Sequence, residues 1–197
     1  MTRPLEPPRV LLVDHYDSYT GNIAQILWVL TGTEPRLVQS DLVDAAEIDA
    51  ATHIVLGPGP GSPHRAADVG HTLDVLERAR VPVFGVCFGF QAMAVALGGR
   101  VEKAPRPAHG LVEAVTHDGS AMFAGVPETF DAVRYHSLVV AEPAPLRITA
   151  RSQDGLPMAG ETEDRRWTGV QFHPESIGTR HGARMIEAFL DEGTADA

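Results

Sequence analysis

The sequence predicts an α/β fold with a mostly parallel central sheet, helices on both faces and additional antiparallel strands in the second half. Short apolar runs alternate with helix-forming segments between residues 10 and 97, which is the pattern of parallel strands joined by helices. Right-handed crossovers then place helices on both faces of the sheet. Between residues 100 and 172, short strands follow one another with turn residues between them, and this spacing favours antiparallel pairing.

Local patterns predict each element in turn. In the first half, short strand-like runs are found at residues 10–13, 36–39, 53–56 and 82–86. Segments with apolar residues at helical spacing, or with strong helix formers, predict helices at residues 23–30, 69–79 and 91–97. In the second half, strands are predicted at residues 100–103, 111–116, 130–134, 138–141, 146–152, 158–161 and 167–172. A last helix is predicted at residues 182–192.

The 197 residues contain no internal repeat, linker or low-complexity tract. One hydrophobic core can organise a chain of this length. We therefore expect a single domain over residues 1–197. Residues 1–8, MTRPLEPP, are rich in proline and are expected to be loose.

Charge and composition exclude several classes of protein. The formal net charge of -10 opposes nucleic-acid binding, which needs clustered Lys and Arg. No apolar run approaches the roughly 20 residues of a transmembrane helix, and the N-terminus lacks the apolar core of a signal peptide. A single cysteine excludes an internal disulfide and a thiolate zinc site, and it suits a reducing compartment. We expect a cytoplasmic protein that binds neither membranes nor nucleic acid.

The candidate nucleophile is Cys87, which lies between a predicted strand and a predicted helix. Gly85, Cys87 and Gly89 form G-x-C-x-G, the thiol version of the G-x-S-x-G elbow that holds a nucleophile on a tight turn. Glycines suit such a turn because a Cβ would clash there, and the positive end of the helix dipole favours a thiolate. A lone cysteine is often only a small buried hydrophobe, but the glycine frame favours the nucleophile.

A glycine–proline loop, GPGPGSP at residues 57–63, follows the third predicted strand. Its prolines stiffen the backbone, and its glycines leave N–H groups unpaired. Such a loop can present donors to an anion or to a developing oxyanion. The Gly-Lys-Ser/Thr ending of a phosphate-binding P-loop is missing, which leaves an oxyanion site and a simple connecting turn as the alternatives.

The candidate base is His173, one of nine histidines. It follows the last predicted strand in GVQFHPES, at a position where catalytic side chains tend to emerge. Glu175 lies two residues later, and a carboxylate near a histidine can fix its tautomer and stabilise the imidazolium. The alternative is an ordinary surface or core histidine. The pattern does not favour a metal site, because His-x-Glu has no third ligand at a recognisable spacing.

Five motifs together resemble the class I, or triad-type, glutamine amidotransferases. They are most similar to the amidotransferase components of aminodeoxychorismate synthase and anthranilate synthase. The motifs are DHYDSYTGN at residues 14–22, PGPGSP at 58–63, GVCFGFQ at 85–91, RYHSL at 134–138 and GVQFHPESI at 169–177. The resemblance extends over residues 9–190, and the five motifs in this order are highly specific.

The resemblance implies roles for named residues. It implies a triad of Cys87 as nucleophile, His173 as base and Glu175 as the orienting group. It implies an oxyanion hole formed by the backbone N–H groups of Gly59 and Phe88. The residues implied to contact glutamine are Gly59, Pro60, Gly61, Gln91, Ser137 and Leu138.

The resemblance also implies an activity. The chain is expected to hydrolyse L-glutamine without metal or organic cofactor and to pass ammonia to a separate chorismate-utilising synthase subunit. We favour 4-amino-4-deoxychorismate, the precursor of p-aminobenzoate and folate, as the synthase product. The alternatives are anthranilate for tryptophan biosynthesis, another triad amidotransferase serving guanylate or cytidylate synthesis, a γ-glutamyl hydrolase of the same fold, and a glutamine-binding regulatory subunit with little turnover.

The loop at residues 14–22 is expected to contact the synthase, because it lies on the same sheet edge as Cys87. Tyr16, Asp17 and Ser18 are the residues that we expect at this interface, since a polar loop with an aromatic side chain suits a non-obligate contact. The alternative is that Asp17 and Ser18 only cap the following helix.

The motifs depart from the family pattern at three places. Phe90 stands where the family usually has histidine. His15 and Tyr19 replace the asparagine and phenylalanine of DNYDSFT, and Gly178 stands where leucine is frequent. None of these changes removes a triad member. Phe90 is the one departure that bears on the packing beside the substrate or on the basal activity.

Overall fold

A nine-stranded sheet forms the centre of the protein. The computed structural model describes residues 7–164 and 166–192. Its strands are β1 (Val10–Asp14), β2 (Arg36–Gln39), β3 (His53–Leu56), β4 (Val83–Val86), β5 (Val101–Lys103), β6 (Leu111–His117), β7 (Thr129–Arg134), β8 (Leu138–Val140), β9 (Arg147–Ser152), β10 (Pro157–Glu161) and β11 (Trp167–Val170). The large sheet has the order β2-β1-β3-β4-β11-β10-β9-β6-β7, and β5 pairs with β8 in a separate antiparallel ribbon.

The large sheet changes from parallel to antiparallel at β11. Strands β2, β1, β3, β4 and β11 are parallel neighbours, whereas β10, β9, β6 and β7 each run antiparallel to the strand before them in the sheet. The predicted α/β fold, with parallel strands first and antiparallel strands in the second half, is confirmed. Strand β11 is the exception in the second half, because it returns to pair in parallel with β4.

Helices cover both faces of the sheet. They are α1 (Thr20–Thr31), α2 (Ala45–Ala50), α3 (Ala66–Val69), α4 (Thr72–Arg78), α5 (Phe88–Ala96) and α6 (Gly182–Glu192), with a short 3-10 turn at Ala121–Phe123. Successive residues of a strand point to opposite faces. Leu12 of β1 therefore joins the apolar cluster under α1 and α6, whereas Leu11 joins the cluster under α2, α4 and α5.

Some predicted helix bounds were wrong. The helix predicted at residues 69–79 is interrupted at Gly70, whose φ of 53° breaks the helical backbone and separates α3 from α4. Helix α5 begins at Phe88, three residues before its predicted start. Helix α2 was not predicted, although Asp44 caps it by accepting a hydrogen bond from the Glu47 N–H at 2.9 Å.

The prediction of a loose N-terminus falls largely on residues 1–6, which lie outside the described residues. Within residues 7–164 and 166–192, no helix combines the length and apolar character that crossing a membrane requires.

Candidate active site

The segments that contain the predicted triad, oxyanion-hole and interface residues lie at the carboxyl ends of four neighbouring parallel strands. Strands β1, β3, β4 and β11 are adjacent in the sheet. The polar loop follows β1, the glycine–proline loop follows β3, Cys87 follows β4 and the His173 segment follows β11. Because parallel strands bring their carboxyl ends to one edge, these four segments meet there.

Cys87 occupies a strained turn between β4 and α5. Its φ of 52° and ψ of -97° are rare for a residue with a side chain. Its N–H donates to the Val170 carbonyl at 2.8 Å, which ties the turn to β11. A Cβ on Gly89 would lie 2.3 Å from the Leu56 carbonyl oxygen. The elbow therefore requires glycine at this position because α5 approaches β3 so closely.

His173 and Glu175 form a buried pair directly after β11. The His173 Nδ1 lies 2.6 Å from Glu175 Oε1, and both side chains are almost completely buried. The His173 N–H donates to the Val133 carbonyl at 2.9 Å, so β7 also fixes this turn. The arrangement can hold the imidazole in one orientation and stabilise its positive charge.

The electrostatics of His173 favour a charged imidazole. Burial by itself lowers the pKa of His173, but the neighbouring Cys87 sulfur and the Glu175 carboxylate outweigh this and raise the pKa to about 10. The Cys87 sulfur therefore lies next to the charged imidazole. Within the described part of the chain, Nε2 of His173 has no hydrogen-bond partner. This buried nitrogen is the ring atom of His173 that Glu175 does not hold.

Two tyrosines enclose His173, and sequence reasoning gave neither a role in the site. The ring centroids of Tyr19 and Tyr135 lie 5.8 and 5.2 Å from that of His173, both in edge-on contact. The two tyrosine rings stack on each other at 5.1 Å. Tyr19 lies in the DHYDSYTGN motif and Tyr135 in the RYHSL motif, and this was the sequence signal that could have identified them as site residues. They limit how far the imidazole can move.

The two backbone donors implied for the oxyanion hole lie beside one buried histidine, His15. Phe88 is the first residue of α5, so its N–H has no partner within the helix. The Phe88 ring lies 4.6 Å from the His15 ring, centroid to centroid. A Cβ on Gly59 would lie 2.4 Å from the His15 Cβ, so the glycine–proline loop packs closely on this side chain.

His15 itself is a neutral, tethered side chain. Its Nε2 lies 2.7 Å from Thr72 Oγ1 in α4. Burial lowers the pKa of His15 to about 4, against the raising effects of the Gly57 carbonyl and Asp14. The histidine that replaces the usual asparagine of the first motif is therefore an uncharged support under the loop.

The residues implied to contact glutamine are only partly brought together. Gln91 is buried, and its Nε2 donates to the Leu138 carbonyl at 3.0 Å, which links α5 to β8. Ser137 is exposed beside Leu138. Pro60 and Gly61 are exposed on the loop after β3. Within the described residues neither forms a hydrogen bond to the Gln91–Leu138 group.

Phe90 does not face the site. It is fully buried in the apolar cluster under α2, α4 and α5, and its ring packs against Gly169 of β11. The departure from histidine at this position therefore changes the packing between α5 and the sheet.

The residues predicted for the partner interface differ in exposure and contacts. Tyr16 is 63% exposed, has a φ of 62°, and donates its hydroxyl to Asp41 Oδ1 at 2.6 Å. Asp17 Oδ1 accepts from the Tyr19 N–H at 2.8 Å and so organises the turn before α1. Ser18 is exposed. Among the described residues, no group of three His, Cys, Asp or Glu side chains is arranged to hold a metal ion.

Comparisons with known proteins identify the family of the chain. The family model for class-I glutamine amidotransferases matches residues 11–192. Aminodeoxychorismate synthase of Streptomyces griseus is 48% identical over 188 residues, which cover 93% of this chain and 26% of that protein. Anthranilate synthase component 2 of Azospirillum brasilense is 41% identical over 187 residues, which cover 92% of this chain and 95% of that protein.

A solved structure shows the same fold. A Thermoplasma acidophilum protein, provisionally assigned to GMP synthase, superposes with a TM-score of 0.88 at 22% identity and covers 96% of both chains. The chain spans about a quarter of the Streptomyces griseus relative, whereas the family model covers almost all of the chain. The protein therefore belongs to the class-I glutamine amidotransferase family.

Proposed function

We propose that the chain is the glutaminase subunit of a chorismate-utilising synthase and hydrolyses L-glutamine to glutamate and ammonia. The observation that supports this most directly is the buried His173–Glu175 pair next to the only cysteine of the chain, which lies on an elbow. This arrangement supplies a nucleophile, a proton carrier and an orienting carboxylate, which are the groups that acyl transfer to a thiol requires.

The geometry suits a two-step mechanism. The Cys87 thiolate attacks the side-chain amide carbon of glutamine, and the N–H groups of Gly59 and Phe88 stabilise the negative oxygen. His173 then gives its proton to the departing nitrogen, the C–N bond breaks, and ammonia leaves behind a γ-glutamyl thioester. A water molecule, deprotonated by His173, attacks the thioester. The C–S bond breaks, and glutamate and the thiolate are released.

Direct transfer of ammonia to a partner explains why a separate synthase is expected. Ammonia is largely protonated in neutral water and then cannot act as a nucleophile. The relatives named for aminodeoxychorismate synthase and anthranilate synthase support a chorismate-utilising partner. The single cysteine, which must stay reduced to react, supports a cytoplasmic location.

The identity of the final product rests on two comparisons. The greater identity to the Streptomyces griseus protein, 48% against 41%, supports 4-amino-4-deoxychorismate. The Azospirillum brasilense protein is a chain of nearly the same extent, with 95% of it covered, and this supports anthranilate as the second candidate.

The proposed activity is tested by following the amide nitrogen of glutamine. The chain is mixed with chorismate, amide-¹⁵N glutamine and the synthase component for either aminodeoxychorismate or anthranilate. We expect ¹⁵N in 4-amino-4-deoxychorismate and a large rise in glutamate release over the chain alone. Label in anthranilate only would select the second candidate. Neither glutamate release nor label with either partner would identify a regulatory subunit instead.

The partner interface gives a separate prediction. Tyr16→Ala is expected to weaken the partner-induced rise in glutamate release while leaving basal turnover unchanged. The reason is that Tyr16 is exposed in the loop after β1, at the same sheet edge as Cys87, and its hydroxyl contacts Asp41. Leu97→Ala is a matched control, because Leu97 is also an exposed apolar residue but lies at the far end of α5. A rise of wild-type size in Tyr16→Ala would place the interface elsewhere.

A further inference from the structure

A buried glutamine, Gln171, touches the candidate nucleophile. It follows β11 directly and is completely buried. Its Nε2 donates a hydrogen bond to the Cys87 sulfur at 3.5 Å. A primary amide in contact with a reacting sulfur can either donate to it or repel it, so the direction of this hydrogen bond decides its effect on the thiolate.

The neighbouring groups fix that direction. The Leu138 carbonyl is a pure acceptor, so the atom of Gln91 that lies 3.0 Å from it must be the NH₂ group. The same NH₂ group lies 3.0 Å from the side chain of Gln171, which must therefore present its oxygen to Gln91. The remaining end of the Gln171 amide is then its NH₂ group. This end faces the Cys87 sulfur.

The Leu138 carbonyl accepts a hydrogen bond from His136 as well as from Gln91. His136 Nδ1 lies 2.9 Å from this carbonyl and can only donate to it. The other ring nitrogen of His136 accepts from Arg134 Nε at 3.0 Å, so the imidazole is neutral. Burial and the Arg134 charge lower the pKa of His136 to about 4, in agreement with the neutral form.

We propose that Gln171 is a second group acting on the Cys87 sulfur, beside His173, and that its amide N–H stabilises the thiolate. Gln91 holds the Gln171 amide in the donating orientation, and the backbone of Leu138 holds Gln91. The reacting sulfur is thereby connected to the segment implied to hold the substrate. This inference rests on the proposed role of Cys87 as the nucleophile.

The main consequence is a change in the reactivity of the sulfur that does not depend on glutamine. Because Cys87 is the only cysteine, the rate of alkylation by iodoacetamide reports on this thiol alone. Loss of one hydrogen bond to a charged group is expected to slow alkylation at pH 7 about tenfold.

Two variants separate donation from packing. Gln171→Met keeps the volume and removes the donor. Gln171→Glu keeps an acceptor for Gln91 but turns a carboxylate oxygen toward the sulfur. We expect both variants to lose at least about tenfold in alkylation rate at pH 7 and in glutaminase kcat, with KM for glutamine changed less than kcat. The glutamate variant should lose more, because two negative groups then repel.

A nearby control variant shows whether packing alone matters. Thr168→Val lies on β11, the strand that Gln171 follows, is also buried, and removes a hydroxyl that has no hydrogen-bond partner among the described residues. It should alkylate like the wild type. If both Gln171 variants were alkylated at the wild-type rate at pH 7, the inference would be overturned. Retained turnover in Cys87→Ser would instead overturn the proposed function, so the two failures are distinguishable.

Discussion

Cys87→Ser is expected to abolish glutamine-dependent product formation by the complex while leaving ammonia-dependent formation by the synthase intact. Serine fits the elbow, so the fold and the loop at residues 14–22 that is expected to contact the synthase should persist. Its hydroxyl, however, is a far weaker nucleophile than a thiolate because it is not ionised near neutral pH. The measurement is product formation with glutamine and, separately, with ammonium salts. Retained ammonia use shows that the variant still folds and binds its partner.

A chemical label provides an independent measurement of the same prediction. A glutamine-analogue electrophile should attach once to the wild-type chain, at Cys87, and should not attach to Cys87→Ser. The single cysteine makes the stoichiometry unambiguous. Undiminished glutamine use by the serine variant would contradict the assignment of the nucleophile, whatever the labelling result.

Much of the site could be predicted because its segments directly follow strands, and strands alternate with helices in this part of the chain. Residues that leave the carboxyl ends of adjacent parallel strands converge whatever their separation in sequence. The loop after β1, the loop after β3 and the Cys87 elbow therefore followed from strand assignment alone. His173 was found through its position after a strand, but its distance from Cys87 depended on the parallel pairing of β11 with β4. No local pattern in a strand specifies its neighbour.

The contacts that sequence reasoning missed are between residues distant in the chain. Gln171 was inside a recognised motif, yet its contact with the Cys87 sulfur joins residues 84 positions apart. The pair of Tyr19 and Tyr135 likewise depends on how β7 ends beside the first loop. Phe90 lay just before the helix predicted at residues 91–97, so the sequence did not place it on a helix face toward or away from the substrate. That choice depends on the close approach of α5 to β11.

His173→Ala is expected to lower glutaminase kcat by about 10²–10⁴-fold, the usual contribution of a general acid–base. The buried pair with Glu175 and the raised pKa of about 10 mean that the imidazole carries the proton needed by the departing ammonia. Glu175→Gln should lower kcat less, about 10–100-fold, because it removes one charged hydrogen bond but leaves the imidazole in place. Steady-state kinetics for both variants, with circular dichroism as the control for folding, measure this order.

The same variants predict a change in stability with pH. The pKa of His173 is raised in the folded state from about 6.5 to about 10, so protonation stabilises the native protein. This contribution is complete below about pH 6.5 and is lost as the pH rises toward 10. Glu175→Gln should weaken this loss, because the carboxylate is one of the groups that raise the pKa. Urea denaturation between pH 6 and 10 measures the slope. If Glu175→Gln lowered kcat more than His173→Ala and left the slope unchanged, the orienting role of Glu175 would be wrong.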